Sequence, residues 1–345
     1  MSENDSDRLV PKGSLVVITG ANGYLGSHVV EQFLEQGYKV RGTVRSLDRL
    51  SNLEKRWHEK YPGMFQAVEI PNLSKEGALN EAIRGASALL HTAADVTFAN
   101  DYDGVISSAI NSTINVLETA ASEPSIKRVV LTSSYIAAAM PQIGQDGTKF
   151  DENSWNDQIV QIAKSLPGDH EMRGRFIYMS SKVQSEKTAF DWVKKHKPSF
   201  GLNTVLPGFC FGEILDPVKQ WGSTASITRD VFLMKEKALA KTTPIQAFCS
   251  ITDIGLLHVG AAVFKGFENK RLYGVSDILT WNEILAIFRQ LYPEKKTYED
   301  FDERRKEISH YDTEASLAIL KGFGQDGWKP TNEAIKENLA RYVEA

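Results

Sequence analysis

The fold of this chain is decided by one stretch near its start, Ser14-Leu15-Val16-Val17-Ile18-Thr19-Gly20-Ala21-Asn22-Gly23-Tyr24-Leu25-Gly26. Residues 14–19 form a short, β-branched apolar run that ends at a glycine, which is typical of a strand buried in a parallel sheet. Residues 28–36 then place apolar side chains at helical spacing, and Gly37 follows where a helix often ends. Residues 39–44 read as the next strand. Strand, helix and strand within about 30 residues make a βαβ unit with a right-handed crossover.

The same alternation continues along the chain. Further strands are predicted at residues 65–70, 88–93, 127–132 and 202–206, and crossover helices at 74–84, 105–121 and 179–195. The pattern predicts an α/β protein with a Rossmann-like, doubly wound parallel sheet. After Pro207 the regularity weakens, with one clear helical stretch at 253–264. We therefore expect a nucleotide-binding domain over residues 1–206. Residues 207–345 should form mainly a smaller substrate-binding domain, with interleaved segments that return to the sheet.

Composition narrows the class of protein. The 345 residues are 42% hydrophobic and 24% charged, which indicates a globular chain with a sizeable core. The net charge of −4 gives no strong positive field, so neither nucleic acid nor a membrane surface is an expected partner. The first residues are polar and acidic, unlike a signal peptide, and no apolar run approaches a membrane span. We expect a cytoplasmic protein with a small-molecule partner, either a monomer or a homodimer.

Metal and disulfide chemistry are not expected. The two cysteines, Cys210 and Cys249, are 39 positions apart, so they form neither a disulfide framework nor a CxxC pair, and both read as core residues. None of the seven histidines has the spacing of a metal motif. His91, at a predicted strand end, is open to two interpretations, a contact to a cofactor or a core histidine.

The glycine-rich turn predicts a dinucleotide site. Its three glycines, at spacing GxxGxxG, lie between the first strand and the first helix. A helix N-terminus offers unpaired N–H groups and the positive end of the helix dipole, and glycines let the backbone approach a pyrophosphate. A structural turn is the alternative, and it fits Gly26 best, since that residue lets the helix pack on the sheet. The predicted cofactor-binding residues of this turn are Thr19, Gly20, Asn22, Gly23, Tyr24, Leu25 and Gly26.

The end of the second strand favours NADP(H) over NAD(H). An acidic residue about 20 positions after the glycines would bind the ribose 2′-hydroxyl of NAD. Here Arg45 stands 19 positions after Gly26, with Arg41 on the same strand and Arg49 shortly after. A guanidinium matches a 2′-phosphate. Arg45 is the predicted phosphate ligand, whereas Arg49 reads better as part of a solvated basic rim.

A second group of residues predicts proton transfer. Tyr178 and Lys182 are four positions apart and so project from one face of a helix. Ser133 and Ser134 follow a predicted strand, at the sheet edge where α/β proteins bind ligands. A tyrosine phenol has a pKa near ~10, so Lys182, together with the positive nicotinamide of the oxidised cofactor, should lower the pKa of Tyr178 for proton transfer. Ser134 is preferred to Ser133 as the third member of this group. The structural alternative is that Tyr178 is a half-buried aromatic residue and Lys182 a solvated one.

At this point the sequence resembles a known family, the extended short-chain dehydrogenases/reductases. The similar branch includes dihydroflavonol reductases and yeast and fungal NADPH-dependent carbonyl (aldehyde) reductases, and the resemblance spans nearly the whole chain. The motifs that carry it are Thr19-Gly20-Ala21-Asn22-Gly23-Tyr24-Leu25-Gly26, Val40-Arg41-Gly42-Thr43-Val44-Arg45, His91-Thr92-Ala93-Ala94, Leu131-Thr132-Ser133-Ser134, and Tyr178 with Lys182.

The resemblance implies a role for each of these residues. Ser134 would polarise a substrate carbonyl, Tyr178 would be the general acid, and Lys182 would bind the nicotinamide ribose. Asn115 would hold the backbone near the site. Further cofactor contacts would come from Ala93, Pro207 and Gly208, and the substrate pocket from Phe98, Phe209, Trp221, Gln246 and Phe248. Two positions depart from the family pattern: Asn72, with Leu73, replaces an Asp-Leu pair that contacts adenine, and Ser112 replaces a glycine.

The sequence therefore predicts an NADPH-dependent carbonyl reductase, that is, a ketoreductase or aldehyde reductase. Its expected substrates are compact, partly apolar carbonyls such as 3-oxo esters, aryl ketones, aldehydes and 2-oxoaldehydes. Three alternatives stay open: a nucleotide-sugar epimerase or dehydratase, a hydroxysteroid dehydrogenase, and a non-catalytic NADP-binding regulator. Arg45 weighs against the first, since an enzyme that retains NAD would want an acid there. The intact Ser134, Tyr178 and Lys182 weigh against the last.

Overall fold

A seven-stranded parallel sheet organises the molecule. The computed structural model describes residues 5–139, 147–236, 238, 245–300 and 309–343. The strand order is β10-β7-β5-β4-β1-β2-β3, and each neighbouring pair is parallel. The strands of this sheet are β1 (Leu15–Thr19), β2 (Lys39–Val44), β3 (Phe65–Glu69), β4 (Ala88–His91), β5 (Arg128–Thr132), β7 (Gly201–Pro207) and β10 (Arg271–Gly274). The predicted Rossmann-like fold class is confirmed.

Helices cover both faces of this sheet, as right-handed crossovers require. On one face α1 packs against α7, and on the other α3 packs against α5. Each pair closes its own apolar core on the sheet, with Phe33 and Leu257 in the first core and Leu117 and Ala189 in the second. The helices are α1 (Tyr24–Glu35), α2 (Ser51–Lys60), α3 (Tyr102–Ser122), α4 (Asp157–Ser165), α5 (Arg173–His196), α6 (Ser223–Phe232), α7 (Ile251–Val263), α8 (Trp281–Leu291), α9 (Glu314–Gly322) and α10 (Thr331–Leu339).

The C-terminal part of the chain builds a second, smaller layer. Strands β8 (Phe209–Phe211), β9 (Ile245–Ser250) and β11 (Asp277–Thr280) form a three-stranded sheet in the order β11-β9-β8. Another small sheet pairs β6 (Lys149–Phe150) with β12 (His310–Tyr311). Strand β10 lies beyond residue 206 yet joins the main sheet beside β7. The boundary between the two predicted domains, at residue 206, stays a prediction.

One predicted helix does not form. Residues 74–84 are a series of turns, not a crossover helix. Gly77 has a φ of +70°, in the left-handed region, which ends helical backbone. The bonds Ala78 N→Lys75 O and Asn80 N→Gly77 O span three residues each, as in separate turns. Within the described ranges, no helix has both the length and the apolarity needed to cross a membrane.

Candidate active site

The predicted site lies where the strand order of the main sheet reverses. The chain runs outward through β2 and β3 on one side of β1 and through β4, β5 and β7 on the other. Strands β1 and β4 are parallel neighbours, with Thr19 opposite His91 at their carboxyl ends. Loops that leave the sheet here diverge and open a crevice, which is where open α/β sheets bind ligands.

The glycine-rich turn follows β1 at the carboxyl edge of the sheet, next to the end of β4. Gly20 has a φ of +71°, and a Cβ on it would lie 2.9 Å from the Cα of Ala93. A Cβ on Gly26 would lie 2.2 Å from the carbonyl oxygen of Gly20, so both positions need glycine for close packing. Helix α1 begins at Tyr24, directly after Gly23, which has no side chain to cap it. The first amide groups of α1 are therefore available to an anion.

Among the predicted residues of the turn, Tyr24 points its side chain into the protein. Its ring is buried, and its hydroxyl donates to the carbonyl oxygen of Gly212 at 3.3 Å. Any cofactor contact of Tyr24 would therefore come from its backbone N–H. Thr19 is also buried; its hydroxyl oxygen accepts from the backbone N–H of Ala93 at 3.3 Å. Asn22 and Leu25 are part-buried on the surface of the turn.

The two arginines of β2 and its loop differ in their surroundings. Arg45 is exposed, lines the crevice, and has neither an ion pair nor a side-chain hydrogen bond among the described residues. Arg41 instead donates to the side chain of Gln66 at 2.8 Å and to the carbonyl oxygen of Ala82 at 2.6 Å. Arg41 thus holds the turns after β3, and Arg45 is the guanidinium left available for a phosphate.

The structure distinguishes the two serines after β5. The hydroxyl of Ser133 donates to Glu186 at 2.7 Å in a buried hydrogen bond. Ser134 is part-buried, and its hydroxyl makes no hydrogen bond with any described residue. The hydroxyl of Ser133 is thus committed to Glu186 while that of Ser134 is not, which favours the predicted choice of Ser134.

Helix α5 brings Tyr178 and Lys182 to the crevice. Both side chains line it, and the Lys182 ammonium lies 5.8 Å from the centre of the Tyr178 ring. Lys182 Nζ also donates to the carbonyl oxygen of Thr132 at 3.0 Å, at the end of β5. Tyr178 packs against Tyr135 and Ile136, which directly follow Ser134. The phenol and the ammonium therefore lie on one side of the crevice. Ser133 belongs to the lining and Ser134 does not, so the predicted role of Ser134 stays a prediction.

Burial shifts the pKa values of both Tyr178 and Lys182. Burial raises the pKa of Tyr178 to about 12, and the nearby Cys210 thiol raises it further. Burial also lowers the pKa of Lys182 to about 8, against the opposing charge of Glu186. In the protein alone, loss of hydration opposes the phenolate. The predicted lowering of the pKa of Tyr178 requires the oxidised cofactor as well as Lys182, so it stays a prediction. The phenol stays protonated at neutral pH.

His91 is both buried and part of the crevice wall. Its Nδ1 lies 2.8 Å from the Thr19 hydroxyl and its Nε2 lies 3.4 Å from the Ser112 hydroxyl. Burial lowers the pKa of His91 to about 4, with a further contribution from the charge of Lys182. His91 is therefore neutral at physiological pH. Asn115, on the same helix as Ser112, donates to the carbonyl oxygen of Leu73 at 3.3 Å and so fixes the loop after β3.

The crevice has a volume of about 300 Å³. Its lining includes the predicted residues Arg45, Ala93, Tyr178 and Lys182. Pro207 is buried at the end of β7, and Gly208 donates its N–H to the carbonyl oxygen of Gly274 at 2.8 Å. Neither of these two belongs to the lining.

The predicted substrate pocket is only partly assembled. Phe98 is 39% exposed and meets the Tyr178 ring edge to face, with centroids 5.4 Å apart. Trp221 is 58% exposed, on the segment before α6. Phe248 has no exposed surface and stacks on Phe211, with centroids 4.6 Å apart.

Phe209 is 7% exposed and belongs to the same aromatic core as Phe248. Both are therefore core residues here rather than pocket walls, because β8 and β9 turn them toward α8. The backbone of Gln246 is part of β9, but its side chain lies outside the described part of the structure.

Sequence reasoning missed a segment that fixes the glycine-rich turn. Gln220 Nε2 donates to the carbonyl oxygens of Asn22 and Gly23, both at 3.1 Å, and to the Ser27 hydroxyl at 2.9 Å. Next to it, Lys219 reaches Asp48 in the loop that follows Arg45. Nothing local in the sequence could have identified these contacts, since they join residues almost 200 positions apart.

Outside the crevice, the described residues form a second cavity. A cavity of about 440 Å³ lies between α1, α2 and α10, but its charges are paired with each other, as Arg56 with Glu31 at 3.0 Å and Arg341 with Glu213 at 2.6 Å. Across the described residues, no group of three or more His, Cys, Asp or Glu side chains could hold a metal ion.

Comparisons with known proteins agree with this arrangement. The model of the 3-beta hydroxysteroid dehydrogenase/isomerase family matches residues 17–166. Aldehyde reductase 2 of Sporidiobolus salmonicolor is 44% identical over 329 residues, which cover 95% of this chain and 96% of that protein. The NAD-dependent epimerase/dehydratase terH of Aspergillus terreus is 34% identical over 325 residues, or 94% of this chain and 95% of that protein.

A solved structure shares the fold over almost the whole length. The yeast methylglyoxal/isovaleraldehyde reductase Gre2, complexed with NADPH, has a TM-score of 0.79 to this chain at 21% identity. The match covers 96% of this chain and 98% of that one. The two-layered architecture described above is therefore that of a known group of proteins.

Proposed function

Because this chain belongs to the extended short-chain dehydrogenases/reductases, we propose that it is an NADPH-dependent reductase of ketones and aldehydes. The observation that carries the proposal is that Tyr178 and Lys182 line the same crevice as Arg45, with the uncommitted Ser134 directly after Ser133 of that lining. A binding protein or regulator would have no need of a proton donor there. The name of the relative from Sporidiobolus salmonicolor, an aldehyde reductase, supports the same reaction.

The crevice has the chemistry to hold NADPH. The amide groups at the start of α1, after Gly23, would bind the pyrophosphate, and the tight approach at Gly20 and Gly26 leaves the backbone open to it. Arg45 would bind the 2′-phosphate, since its guanidinium is exposed and uncommitted. Lys182 would bind the nicotinamide ribose.

Three side chains would then act on the substrate. The bound cofactor supplies a hydride to the carbonyl carbon. Ser134 donates a hydrogen bond to the carbonyl oxygen and stabilises the negative charge that develops on it. Tyr178 gives its proton to that oxygen; because its pKa is about 12, the phenol is protonated and ready to act as an acid. Lys182, held on the carbonyl oxygen of Thr132, stabilises the phenolate that is left.

The substrate class in this proposal is compact and partly apolar. Phe98 contacts the Tyr178 ring and presents an apolar surface beside the proton donor. Carbonyls such as 3-oxo esters, aryl ketones and 2-oxoaldehydes would place their reactive carbon next to that surface. In the same proposal the enzyme is cytoplasmic and acts as a monomer or homodimer, without nucleic acid or membrane partners. Its moderate negative charge and two unbridged cysteines support this view.

The proposal is tested by the oxidation of NADPH, with NADH in parallel, against ketones, aldehydes, 3-oxo esters and steroids. We expect NADPH-specific consumption with the small carbonyls. No consumption with any carbonyl, together with firmly retained NAD in the purified protein, would refute the proposal and favour an epimerase or dehydratase. Activity with steroids alone would favour a hydroxysteroid dehydrogenase.

The role of Tyr178 has its own test. Tyr178→Phe removes the acidic proton and keeps the ring, so turnover should fall by about 10²- to 10⁴-fold while NADPH binding persists. Steady-state turnover and a titration with NADPH measure the two quantities. Tyr135→Phe is the matched control, because Tyr135 is a buried neighbour of the site. Unchanged turnover in Tyr178→Phe would exclude the phenol as the proton donor.

A further inference from the structure

Glu186 is a buried carboxylate next to the proposed catalytic group. It lies four residues after Lys182 on α5, so it extends the face of the helix that carries Tyr178 and Lys182. Only 2% of it is exposed. An acidic side chain is rarely buried to that degree unless several donors satisfy it.

Two hydroxyl groups and one guanidinium satisfy this carboxylate. Ser133 Oγ donates to Oε2 at 2.7 Å and Thr204 Oγ1 donates to Oε1 at 2.6 Å. Arg271, from β10, donates through Nε at 2.9 Å and through Nη2 at 3.3 Å. The guanidinium of Arg271 is itself fixed, because it lies 3.7 Å from the centre of the Trp155 ring and donates to the carbonyl oxygen of Glu152 at 3.2 Å. The network is thus rigid and fully paired.

This network contacts the turn after β5 at Ser133, the residue between Thr132 and Ser134. Thr132 accepts the hydrogen bond of Lys182, Ser133 is bonded to Glu186, and Ser134 presents the free hydroxyl. We propose that Glu186 is a positioning residue of the reductase site, which fixes the serine turn through Ser133 and keeps the Lys182 ammonium charged. The inference rests on the proposed function and assigns to Glu186 a role that it exerts through Ser133 and Lys182, since its own carboxylate is occupied by Ser133, Thr204 and Arg271.

The charged and titratable groups around Lys182 make this role measurable. Tyr178 and Glu186 flank it on α5, His91 faces it from β4, His258 of α7 bonds the Thr132 hydroxyl at 2.8 Å, and Arg271 lies behind Glu186. Burial lowers the pKa of both histidines to about 4 and raises that of Tyr178 to about 12. Lys182, with a pKa of about 8, is therefore the group among these that titrates near neutral to mildly alkaline pH.

The sign of the effect follows from the charges. Activity needs the Lys182 ammonium, so it falls as the pH rises through the pKa of Lys182. Glu186→Gln removes the negative charge that favours the ammonium, so the alkaline limb of the kcat/KM profile should move down by about 1 pH unit. Because glutamine holds Ser133 less firmly and leaves Arg271 unpaired, kcat should also fall by about 10-fold or more at a pH below the limb.

A second variant separates the two parts of the role. Ser133→Ala removes the hydrogen bond and leaves every charge in place, so kcat should fall and the alkaline limb should stay where it is. If Glu186→Gln alone does not fold, the double variant Glu186→Gln/Arg271→Met removes the whole ion pair and avoids an unpaired buried guanidinium. Its alkaline limb should still move down, because the charge of Glu186 raises the pKa of Lys182.

Glu268→Gln is the matched control. Glu268 also pairs with an arginine of the sheet, Arg128, at 2.7 Å, but it is part of no contact with the serine turn. This variant should lose thermal stability and keep the wild-type pH profile. The inference is overturned if Glu186→Gln or the double variant keeps the wild-type limb. Failure of the proposed function looks different, since the wild-type protein would then reduce no carbonyl at any pH.

Discussion

Replacing Arg45 by alanine tests which atoms of this chain choose between the two nicotinamide cofactors. Arg45 is exposed at the end of β2, lines the crevice, and has no partner among the described residues. Its removal should therefore break no contact within the protein. The variant should fold as the wild type does and lose only the affinity that depends on the 2′-phosphate.

The size of the loss follows from this exposure. A hydrogen bond to a charged group contributes about 1.5 to 3 kcal/mol, and screening by solvent and salt places an exposed one toward the lower end. A loss of about 1.5 to 2.5 kcal/mol corresponds to a rise of about 10- to 60-fold in the KM for NADPH. NADH has no 2′-phosphate, so its KM should change by less than about two-fold.

The assay compares KM for NADPH and NADH in Arg45→Ala, at low and at high salt. Wild-type affinity for NADPH should weaken as salt rises, and the variant should lose most of that dependence. Arg49→Ala is the control, since Arg49 is an exposed arginine of the same loop that reads as a solvated charge. An equal loss for both cofactors in Arg45→Ala would refute the reasoning, as would a larger effect of Arg49→Ala.

Two other substitutions probe the glycine-rich turn. Gly26→Ala places a Cβ 2.2 Å from the Gly20 carbonyl oxygen, so it should lower the free energy of unfolding by about 1 to 3 kcal/mol and abolish NADPH binding. Thermal unfolding and a titration with NADPH measure the two effects. Gly168→Ala is the control, because a Cβ there meets nothing within 4 Å. Gln220→Ala removes three hydrogen bonds to the turn and should weaken NADPH and NADH alike, by about 3- to 10-fold. A loss confined to NADPH would contradict the second prediction, and the exposed Val218, replaced by alanine, is its control.

Six of the seven strands of the central sheet could be predicted because each is a short apolar run in the local sequence; β10 (Arg271–Gly274) was not predicted. The apolar run at residues 14–19, the three glycines after it and the apolar run at 39–44 follow one another along the chain. In the structure they correspond to β1, the start of α1 and β2. The failure at residues 74–84 has a local cause that periodicity does not register. The apolar spacing there fits a helix, but Gly77 adopts a left-handed φ and the segment closes into turns held by Arg41.

Among the side chains of the site, those fixed by local sequence could be predicted and those fixed by distant contacts could not. Tyr178, Lys182 and Arg45 lie in the crevice, because helical spacing and the position of a strand end determine where they point. Phe248 was placed in the pocket by the resemblance alone, and the local sequence does not show that β9 directs its ring into the aromatic core. Arg271 and Gln220 could not be found at all, since each meets its partner across a sequence distance of 85 residues or more.

Three ionisable residues on one face of α5 differ in how deeply they are buried, and their proposed roles differ accordingly. Tyr178, Lys182 and Glu186 are each four residues apart, and exposure decreases from the part-buried first two to the 2% exposed Glu186. A proton donor has to reach the substrate, so the phenol must lie where the crevice is open. A carboxylate at the position of the Tyr178 phenol would compete with the substrate for the phenol proton and would repel the phosphates of a cofactor. Glu186 lies at the buried end of the crevice lining, where hydrogen bonds from Ser133, Thr204 and Arg271 occupy its carboxylate, so it can favour the Lys182 charge while those donors satisfy it.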